Sequence, residues 1–415
     1  MEITKATISD YLHKHTSLFS HAPLTIEDLS VPSNTQNDGF VNFIFRISQN
    51  NKSYILKQAR PYLRVIELTD NIADSKLLDE LPVERNYLEY LSFQLRHSIA
   101  SNYVPKVFFV DTANNVFIME DLGQSHKILR FELNTGKKFP SFAQQIGEFM
   151  SHTHFHTSEL YLDKSVFRNL LCKFSNVHMR AIMEDFVLLK LDMCQSSNSA
   201  LAVMGKKLWD DPAIKLNALQ VRDNFIKKSE CLVHGDLHTS NIFINDKSLG
   251  IIDMEYSFMA PYSYDLGYLL ANFVSQYAAF TFKVEGHKKT QHQEYLLNTI
   301  KQVYDSYFNT FEICYKKNAK PLYLQTEGFL NSLFAGIFQE SLGIMALANM
   351  IRIINRSPFP DFDCIDDPKN KLLAQGLSLT IDKHLLLNRK NIATPNMLID
   401  YIKKVTLEYT SSILY

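Results

Sequence analysis

Residues 231–257, CLVHGDLHTSNIFINDKSLGIIDMEYS, combine a polar loop with short runs of apolar, strand-forming residues. Asp236 stands five residues before Asn241, and Asp253 follows Asn241 by twelve residues, directly after an apolar run. Phosphoryl transfer uses one carboxylate to orient the attacking hydroxyl, and an amide oxygen with a second carboxylate to hold Mg²⁺. The spacing therefore predicts a phosphoryl-transfer centre, with Asp236 as catalytic base and Asn241 and Asp253 as metal ligands.

Two neighbours of this centre extend the prediction. The order His-Gly-Asp at 234–236 occupies the place of the HRD triplet in kinase catalytic loops. Glu255 follows Asp253 by two residues, and in an extended segment both side chains would point to the same side. Mg²⁺ prefers oxygen ligands, so Glu255 is predicted as a further metal ligand, with a surface acid as the alternative. Met254, between them, is assigned to the nucleotide-binding residues.

Towards the N-terminus the sequence reads as mixed β and α structure. Residues 40–47 and 53–58 are β-rich runs around a polar five-residue turn, which predicts a hairpin. Leucines recur at helical spacing within 83–97. Residues 106–110 and 116–120 form two further β-rich runs. The predicted order is strand, strand, helix, strand, strand.

Beyond residue 122 long helical patterns dominate. They cover 142–156, 213–228, 264–277, 292–317 and 329–354, with short β runs at 242–245 and 250–253. We therefore predict an α+β protein of two lobes with a cleft between them. The small β-rich N-terminal lobe, 1–120, would bind a nucleotide, and the large helical C-terminal lobe, 121–415, would carry the catalytic loop and the substrate site.

Lys57 lies in the apolar strand YILKQA, where an ammonium group requires a partner. In a kinase-like site it would contact nucleotide phosphates and pair with a carboxylate of a helix. Helical spacing groups three leucines of that helix, Leu88, Leu91 and Leu95. Glu84 falls on their face and Glu89 lies off it, so periodicity favours Glu84 as the partner.

Two loops are further candidates for nucleotide contacts. Asp38 and Gly39 precede the first strand of the hairpin, where a glycine lets backbone N–H groups approach phosphates; Asp-Gly is equally an ordinary turn. Glu120, Asp121 and Leu122 end the last strand of the small lobe. A chain crossing between lobes there would offer backbone groups to an adenine edge, and a plain linker is the alternative.

Composition excludes several classes of protein. The 415 residues include 43 Lys and Arg against 44 Asp and Glu, and this balance gives no basic surface for nucleic acid or anionic membranes. The five cysteines form no C-x-x-C pair, which indicates a reducing compartment. The N-terminus has no apolar signal region. We expect a cytoplasmic protein.

Two other features have structural interpretations. The apolar run 329–354 contains Glu340 and three amide side chains, so a buried core helix is predicted rather than a membrane span. His152, His154 and His156 lie close together, but in a helix only the outer two share a face. With His126 they are expected to be surface or packing histidines, since no acid or cysteine is seen to complete a metal site.

Several segments together resemble one family, the methylthioribose kinases of the aminoglycoside- and choline-kinase-like group. The matching segments are QNDGFVNFIF, YILKQARPYLRV, YVPKVFFVDT, VFIMEDLGQSHK, FPSFAQQIGEFM, KLWDDPAIKL, LVHGDLHTSNIF and IIDMEYSFMAPYSYDLGYLLANF. They follow the family's order over about 36–275, with weaker similarity to about 385. The resemblance implies a protein-kinase-like fold, use of ATP and Mg²⁺, and a small-molecule substrate; a homodimer is compatible with it.

Residue by residue, the resemblance implies ATP contacts at Asn42, Lys57 and the 120–122 hinge. It implies the base role for Asp236 and Mg²⁺ binding by Asp253 and Glu255. It favours Glu89 over Glu84 as the partner of Lys57, against periodicity, and both stay open here.

Two departures from the family pattern concern the site. The family's HGDLHTGS reads HGDLHTSN here, and Asn241 restores the amide of the wider kinase group. The family's substrate-binding I-R-R-T-I-G aligns with FQESLG, which places Gln339 and Glu340 at substrate positions without either arginine. A carboxylate accepts hydrogen bonds and attracts cations, whereas guanidinium groups donate.

The sequence thus predicts a small-molecule kinase that transfers the γ-phosphate of ATP to a hydroxyl of methylthioribose or a related sugar. An amine-bearing substrate, such as an aminoalcohol or aminoglycoside received by Glu340, is the alternative within kinases. A catalytically inactive nucleotide-binding protein is the third hypothesis, disfavoured by the presence of Lys57, Asp236, Asn241 and Asp253.

Overall fold

The computed structural model describes residues 2–29, 42–61, 82–188, 199–354 and 360–413. Asp38 and Gly39 lie outside these ranges. Ten strands are described: β1 (Thr25–Asp28), β2 (Phe43–Gln49), β3 (Lys52–Gln58), β4 (Val107–Asp111), β5 (Val116–Glu120), β6 (Lys127–Ile128), β7 (Cys231–Val233), β8 (Ile242–Ile244), β9 (Leu249–Ile251) and β10 (Phe258–Ala260).

The helices of the first half of the chain are α1 (Ile8–His15), α2 (Arg85–Ala100), α3 (Leu129–Asn134), α4 (Phe142–His156), α5 (Lys164–Lys173), α6 (Val177–Ile182), α7 (Ser199–Asp210) and α8 (Pro212–Lys227). Those of the second half are α9 (Ser263–Lys283), α10 (Gly286–Asn318), α11 (Pro321–Leu324), α12 (Phe329–Ile354), α13 (Pro368–Asn388) and α14 (Pro395–Ile413). The fold is therefore α+β, as predicted.

The N-terminal lobe is built on one antiparallel sheet. Its strands lie in the order β1-β2-β3-β5-β4, and the β2–β3 hairpin turns through Asn50 and Asn51, both at positive φ. Side chains alternate between the two faces of a strand. One face packs under α1 through Ile47 and Leu56, and the other face packs towards α2 through Ile55. Lys57 follows the parity of Ile55, so the alternation directs it to the α2 side.

The C-terminal lobe is mostly helical and holds the larger core. Helix α9 is buried along nearly its whole length and packs against α10, α12 and α13. Two small antiparallel sheets, β7 with β10 and β6-β8-β9, lie on this lobe. The loop 234–241 connects β7 to β8, and the segment 252–257 connects β9 to β10. The architecture is the two-lobed protein-kinase-like fold, and these two connections carry the predicted catalytic residues.

Helix α12 is long and apolar enough by composition to span a membrane. However, 83% of its most apolar 18-residue stretch is buried inside the protein. It packs against α9 and α13, so the prediction of a buried core helix is confirmed.

The predicted strands and long helices are present, and the predicted bounds of α4 and α12 match the structure. The first helix α1, the edge strand β1 and the C-terminal helices α13 and α14 were not predicted from the sequence pattern. The division at residue 120 stays a prediction about domain boundaries.

Candidate active site

The buried ammonium of Lys57 lies within a group of carboxylates. Lys57 Nζ is 2.9 Å from Glu89 Oε1 and also contacts Asp253 Oδ1. Lys57 and Glu89 are almost wholly buried. Burial alone would destabilise the ammonium, but the carboxylates of Asp253 and Glu89 raise the pKa of Lys57, so it stays charged. The strand β3, the helix α2 and the segment after β9 meet at this ion pair.

The structure pairs Lys57 with Glu89, as the resemblance implies, and the preference of periodicity for Glu84 is wrong. Helix α2 buries two faces rather than one. The leucines at 88, 91 and 95 pack against a small cluster that contains Phe167 and Phe174 of α5 and its end. The face towards the sheet contains Glu89 and Phe93. Glu84 precedes the helix and is exposed.

Asp253 and Glu255 do not lie in an extended segment, contrary to the expectation from their spacing. Asp253 has φ 65°, and Met254–Tyr256 form a 3₁₀ turn. The Met254 amide donates to Glu89 Oε1 at 3.1 Å, which fixes this turn against α2. The turn still directs both acidic side chains to the region of Lys57.

Glu255 is completely buried and bridges to the N-terminal lobe. Its Oε2 accepts from Asn42 Nδ2 at 2.7 Å and lies 3.3 Å from Arg85 Nε. Its Oε1 has no hydrogen-bond partner among the described residues. Burial, together with the Asp253 carboxylate, raises the pKa of Glu255. An unpartnered buried carboxylate oxygen costs free energy and is the kind of group that a cation would stabilise.

The charge balance of this region agrees with a cation site. Three carboxylates, Glu89, Asp253 and Glu255, stand against two cationic side chains, Lys57 and Arg85. Burial raises the pKa of Glu89 as well, because a low-dielectric site disfavours the charged form. The carboxylates of Asp253 and Glu255 and the amide oxygen of Asn241 offer only oxygen atoms as ligands, which fits Mg²⁺.

A cavity of about 130 Å³ opens between the lobes next to Lys57. Its lining includes the predicted hinge residues Glu120, Asp121 and Leu122, together with Asn241 and Asp253. Apolar side chains from both lobes complete the walls: Leu29, Ile44, Ile55, Met119, Ile128, Phe243 and Ile252. An apolar slot that also presents a few polar groups is typical of a small-molecule site.

The polar groups of the hinge are partly engaged within the protein. The Asp121 carboxylate accepts from Arg46 Nε at 2.8 Å, Ser53 Oγ at 2.6 Å and the Gly123 amide at 3.0 Å. Glu120 donates its amide to the Lys106 carbonyl at 2.9 Å. The side chain of Asp121 therefore holds the hinge against the sheet, and ligand contacts would fall to the remaining backbone groups.

Asp236 lies in a different set of contacts from Lys57. Tyr268 of α9 donates its hydroxyl to Asp236 Oδ1 at 2.7 Å. Arg352 Nη2 is 3.6 Å from the same oxygen and donates to the Tyr268 hydroxyl at 2.5 Å, while His238 Nε2 is 3.5 Å from Asp236 Oδ2. Burial works to raise the pKa of Asp236, but His238, Arg352 and Tyr268 hold it well below the ordinary range. Asp236 is therefore ionised at neutral pH.

The carboxylate of Asp265, on α9, holds the backbone of the catalytic loop in place. The amides of His234 and Gly235 donate to its carboxylate at 2.7 and 3.1 Å, and His154 Nε2 lies 3.3 Å from it. Gly235 has φ 89°, and a Cβ there would lie 2.3 Å from the Tyr256 carbonyl oxygen. Only glycine fits this close approach between the loop and the turn after Asp253.

Two further contacts join the loop to its surroundings. Asn241 donates from Nδ2 to the Asp236 carbonyl at 2.9 Å, which leaves its amide oxygen as the group for a metal. Arg130 of α3 donates to Thr239 Oγ1 at 3.0 Å and lies 3.6 Å from the buried carboxylate of Asp361. Sequence reasoning did not identify Arg130.

Gln339 and Glu340 line another cavity, of about 330 Å³, with residues of α8, α9 and the end of α13. This cavity shares no lining residue with the one beside Lys57. The Glu340 carboxylate contacts Lys228 Nζ and lies 3.4 Å from Ser263 Oγ. The structure therefore does not place these two side chains in contact with Asp236.

Sequence reasoning missed the side chains that surround Asp236. Tyr268 and Arg352 belong to helices α9 and α12, far along the chain from the loop. Asp265 is a carboxylate in the otherwise apolar segment YDLGYLLANF, which indicates a buried polar contact but does not identify the partner residues. Arg352 gives a similar indication as the single cation within α12.

Comparison with known proteins gives the following similarities. Residues 190–285 match the phosphotransferase enzyme family. A methylthioribose kinase of Geobacillus sp. (strain WCH70) is 29% identical over 363 residues, covering 86% of this chain and 86% of the relative. Methylthioribose kinase 2 of Oryza sativa subsp. japonica is 27% identical and covers 88% of each chain.

Among solved structures, a choline kinase of Cryptosporidium parvum Iowa II has a TM-score of 0.49 at 13% identity, covering 95% of this chain and 99% of that one. A spectinomycin phosphotransferase has a TM-score of 0.44 at 14% identity, covering 98% and 99%. The sequence similarities identify the chain as a phosphotransferase for an alcohol or sugar acceptor that is similar to the methylthioribose kinases.

Proposed function

We propose that the protein is an ATP- and Mg²⁺-dependent kinase that phosphorylates a hydroxyl group of a sugar-like small molecule, with methylthioribose as the first compound to test. The observation that carries the proposal is the ionised carboxylate of Asp236, held by the Tyr268 hydroxyl at 2.7 Å beside Asn241. The turn carrying Asp253 and Glu255 adjoins this loop through Gly235.

The nucleotide is assigned to the cavity between the lobes. Lys57 would contact its phosphates, and Glu89 keeps the ammonium in place. The hinge 120–122, Asn42 and Met254 would contribute contacts around it, as would Asp38 and Gly39, which lie outside the described residues. Magnesium, held by Asn241, Asp253 and Glu255, would supply charge compensation to the phosphates.

Asp236 is assigned to the acceptor. A carboxylate with a lowered pKa is a weak base, so its main work is to accept a hydrogen bond from the attacking hydroxyl and orient it. Arg352, His238 and Tyr268 fix the direction of its lone pairs.

The side chains around Asp236 favour an acceptor rich in hydroxyl oxygens. Arg352 and His238 can donate hydrogen bonds to such oxygens, and Arg352 comes from α12, the helix that bears FQESLG in place of the family's arginine pair. We therefore assign to Arg352 the guanidinium contact that Gln339 and Glu340 do not provide.

The alternative of an amine-bearing substrate rests on a negative charge at Glu340. Lys228 already contacts that carboxylate, and Glu340 does not contact Asp236. This observation disfavours the amine alternative. The buried Lys57–Glu89 pair and the ionised Asp236 disfavour an inactive nucleotide-binding protein. The expected location is the cytoplasm.

The test is Asp236→Asn, assayed for ADP formation with a panel of thiosugars, pentoses, aminoalcohols and aminoglycosides. We expect turnover with the best acceptor to fall by about 10²–10⁴-fold, because a positioned carboxylate contributes about that much. Binding of a non-hydrolysable ATP analogue should be retained.

The matched control is Asp246→Asn, an exposed carboxylate in the turn between β8 and β9. It should leave turnover unchanged. Near-native turnover of Asp236→Asn would contradict the role given to Asp236, and turnover only with amine acceptors would contradict the proposed substrate class.

A further inference from the structure

Away from the cleft, the C-terminal ends of helices α4 and α10 bring together three side chains with nitrogen and sulfur ligand atoms. His152 and His156 lie one turn apart on α4, and Cys314 lies on α10. One ligand atom of each residue lies within 4.8 Å of the others. The two histidines are close in sequence, whereas Cys314 is 162 residues from His152 and joins them only through the fold.

The separations suit a tetrahedral ion with thiolate and imidazole ligands. Cys314 Sγ is 3.5 Å from His152 Nδ1. Zinc bonds of about 2.3 Å to sulfur and about 2.0–2.1 Å to nitrogen, at tetrahedral angles, place these two atoms about 3.6 Å apart. The histidines share a helix face at i and i+4, and the ligand atoms of all three residues lie within 4.8 Å of one another.

A second observation concerns the orientation of His156. Its Nδ1 lies 2.8 Å from the His152 carbonyl oxygen. A carbonyl only accepts, so Nδ1 carries the hydrogen and Nε2 presents its lone pair. Metal-binding histidines typically donate their other ring nitrogen to a carbonyl or carboxylate in this way, which fixes the tautomer and the ring direction.

The surroundings suit a site at the protein surface. Cys314 is 5% exposed, and both imidazoles are half-buried, so an ion has access from solvent. Glu148 lies one turn before His152 on α4, and its carboxylate accepts from Tyr103 at 2.5 Å and from Gln144 at 2.9 Å. Both oxygens of Glu148 are thus engaged, and a water molecule would complete four ligands.

We propose that His152, His156 and Cys314 bind a thiophilic divalent cation of the zinc class. On binding, the Cys314 thiol releases its proton to solvent, the S–M bond forms, and no electron is transferred. The ion would fasten α4 to α10. Helix α4 also carries His154, whose ring contacts Asp265 beneath the catalytic loop, so the ion stabilises the support of the active site and takes no part in its chemistry.

The test uses Co²⁺ as a spectroscopic substitute for zinc, with the full chain saturated with Mg²⁺ and a non-hydrolysable ATP analogue to occupy the cleft. We expect one equivalent of Co²⁺ to give a thiolate-to-cobalt charge-transfer band and tetrahedral d–d bands, both displaced by Zn²⁺. Cys314→Ala should abolish the charge-transfer band. His152→Ala and His156→Ala should each weaken Co²⁺ binding by at least about tenfold.

Cys172→Ala, at an exposed cysteine of α5, is the matched control and should bind Co²⁺ as the native protein does. Zn²⁺ should raise the melting temperature of the native protein and not that of Cys314→Ala. His156→Gln, at a half-buried position, gives the same comparison if Cys314→Ala folds poorly. Absence of a thiolate band in the native protein would show that Cys314 and His152 form only a hydrogen bond. Persistence of the band in Cys314→Ala would show that another cysteine binds the ion, and either result would overturn the proposal.

Discussion

At the residue scale, Arg352 is the group whose change reports most directly on Asp236. It lies 3.6 Å from Asp236 Oδ1 and donates to Tyr268. In Arg352→Met we expect kcat/KM for the acceptor to fall by about 10–100-fold, because the charge-assisted hydrogen bond assigned between Arg352 and the acceptor, worth about 1.5–3 kcal/mol, is lost. KM for ATP should stay unchanged. Arg352→Lys should recover part of the loss.

The same change should alter the pH dependence. The pKa of Asp236 is lower in the folded protein than in the unfolded chain. The ionised carboxylate therefore contributes to the stability of the fold above the unfolded pKa of about 3.9, and this contribution is lost as the pH falls through the folded pKa. Removing Arg352 raises the folded pKa, so the acidic limb of kcat/KM should move to higher pH. Arg168→Met, at an exposed arginine of α5, is the control. An unmoved acidic limb would mean that Arg352 does not act on Asp236.

Asp253 and Glu255 are expected to differ as metal ligands. Asp253→Ala should raise the Mg²⁺ concentration needed for half-maximal turnover by at least about tenfold, a loss seen even for residues that only hold a ligand in place. Glu255→Gln should change that requirement less, and should lower the melting temperature, because the buried contacts with Asn42 and Arg85 weaken. Titration of Mg²⁺ at saturating ATP measures the first effect. An unchanged Mg²⁺ requirement in both variants would remove them from the metal site.

At the scale of elements, the packing of α9 on α12 depends on a close approach at Gly267. A Cβ there would lie 2.5 Å from the Ser341 carbonyl oxygen and 2.8 Å from Ile344 Cβ. Gly267→Ala should therefore destabilise the protein by about 1–3 kcal/mol, the usual cost of overpacking. At Gly336, on α12, no described residue outside the adjoining helix turns lies within 4 Å of the Cβ position, so Gly336→Ala should instead stabilise by up to about 1 kcal/mol.

Thermal denaturation of the two glycine variants measures the contrast. Equal melting temperatures for both variants would show that the helices separate easily at Gly267. Gly336→Ala also serves as the control for a general effect of replacing glycine within a helix.

At the scale of the whole molecule, helix α12 is covered by the rest of the C-terminal lobe. Its apolar side chains are therefore satisfied by protein contacts rather than by lipid. We expect the full chain to stay in the supernatant of an ultracentrifuged lysate without detergent. Recovery in the membrane fraction, released only by detergent, would contradict the burial of α12.

Features that depend on neighbours along the chain could be predicted from the order of residues alone. The spacing of Asp236, Asn241 and Asp253 is such a feature, because the loop before β8 carries the first two and the third follows β9 of the same short hairpin. The β2–β3 hairpin and the bounds of α4 are others, since turn residues and a 3.6-residue period are local properties.

Contacts between side chains that are distant along the chain became visible only in the folded protein. Glu89 rather than Glu84 lies at Lys57, because α2 packs on two faces and the spacing of its leucines indicates only one of them. The fold brings Arg352 to Asp236, 116 residues away, and Cys314 to His152, 162 residues away. Such contacts follow from the register and crossing of packed helices, which depend on the shapes of many side chains at once and leave no periodic trace in the chain.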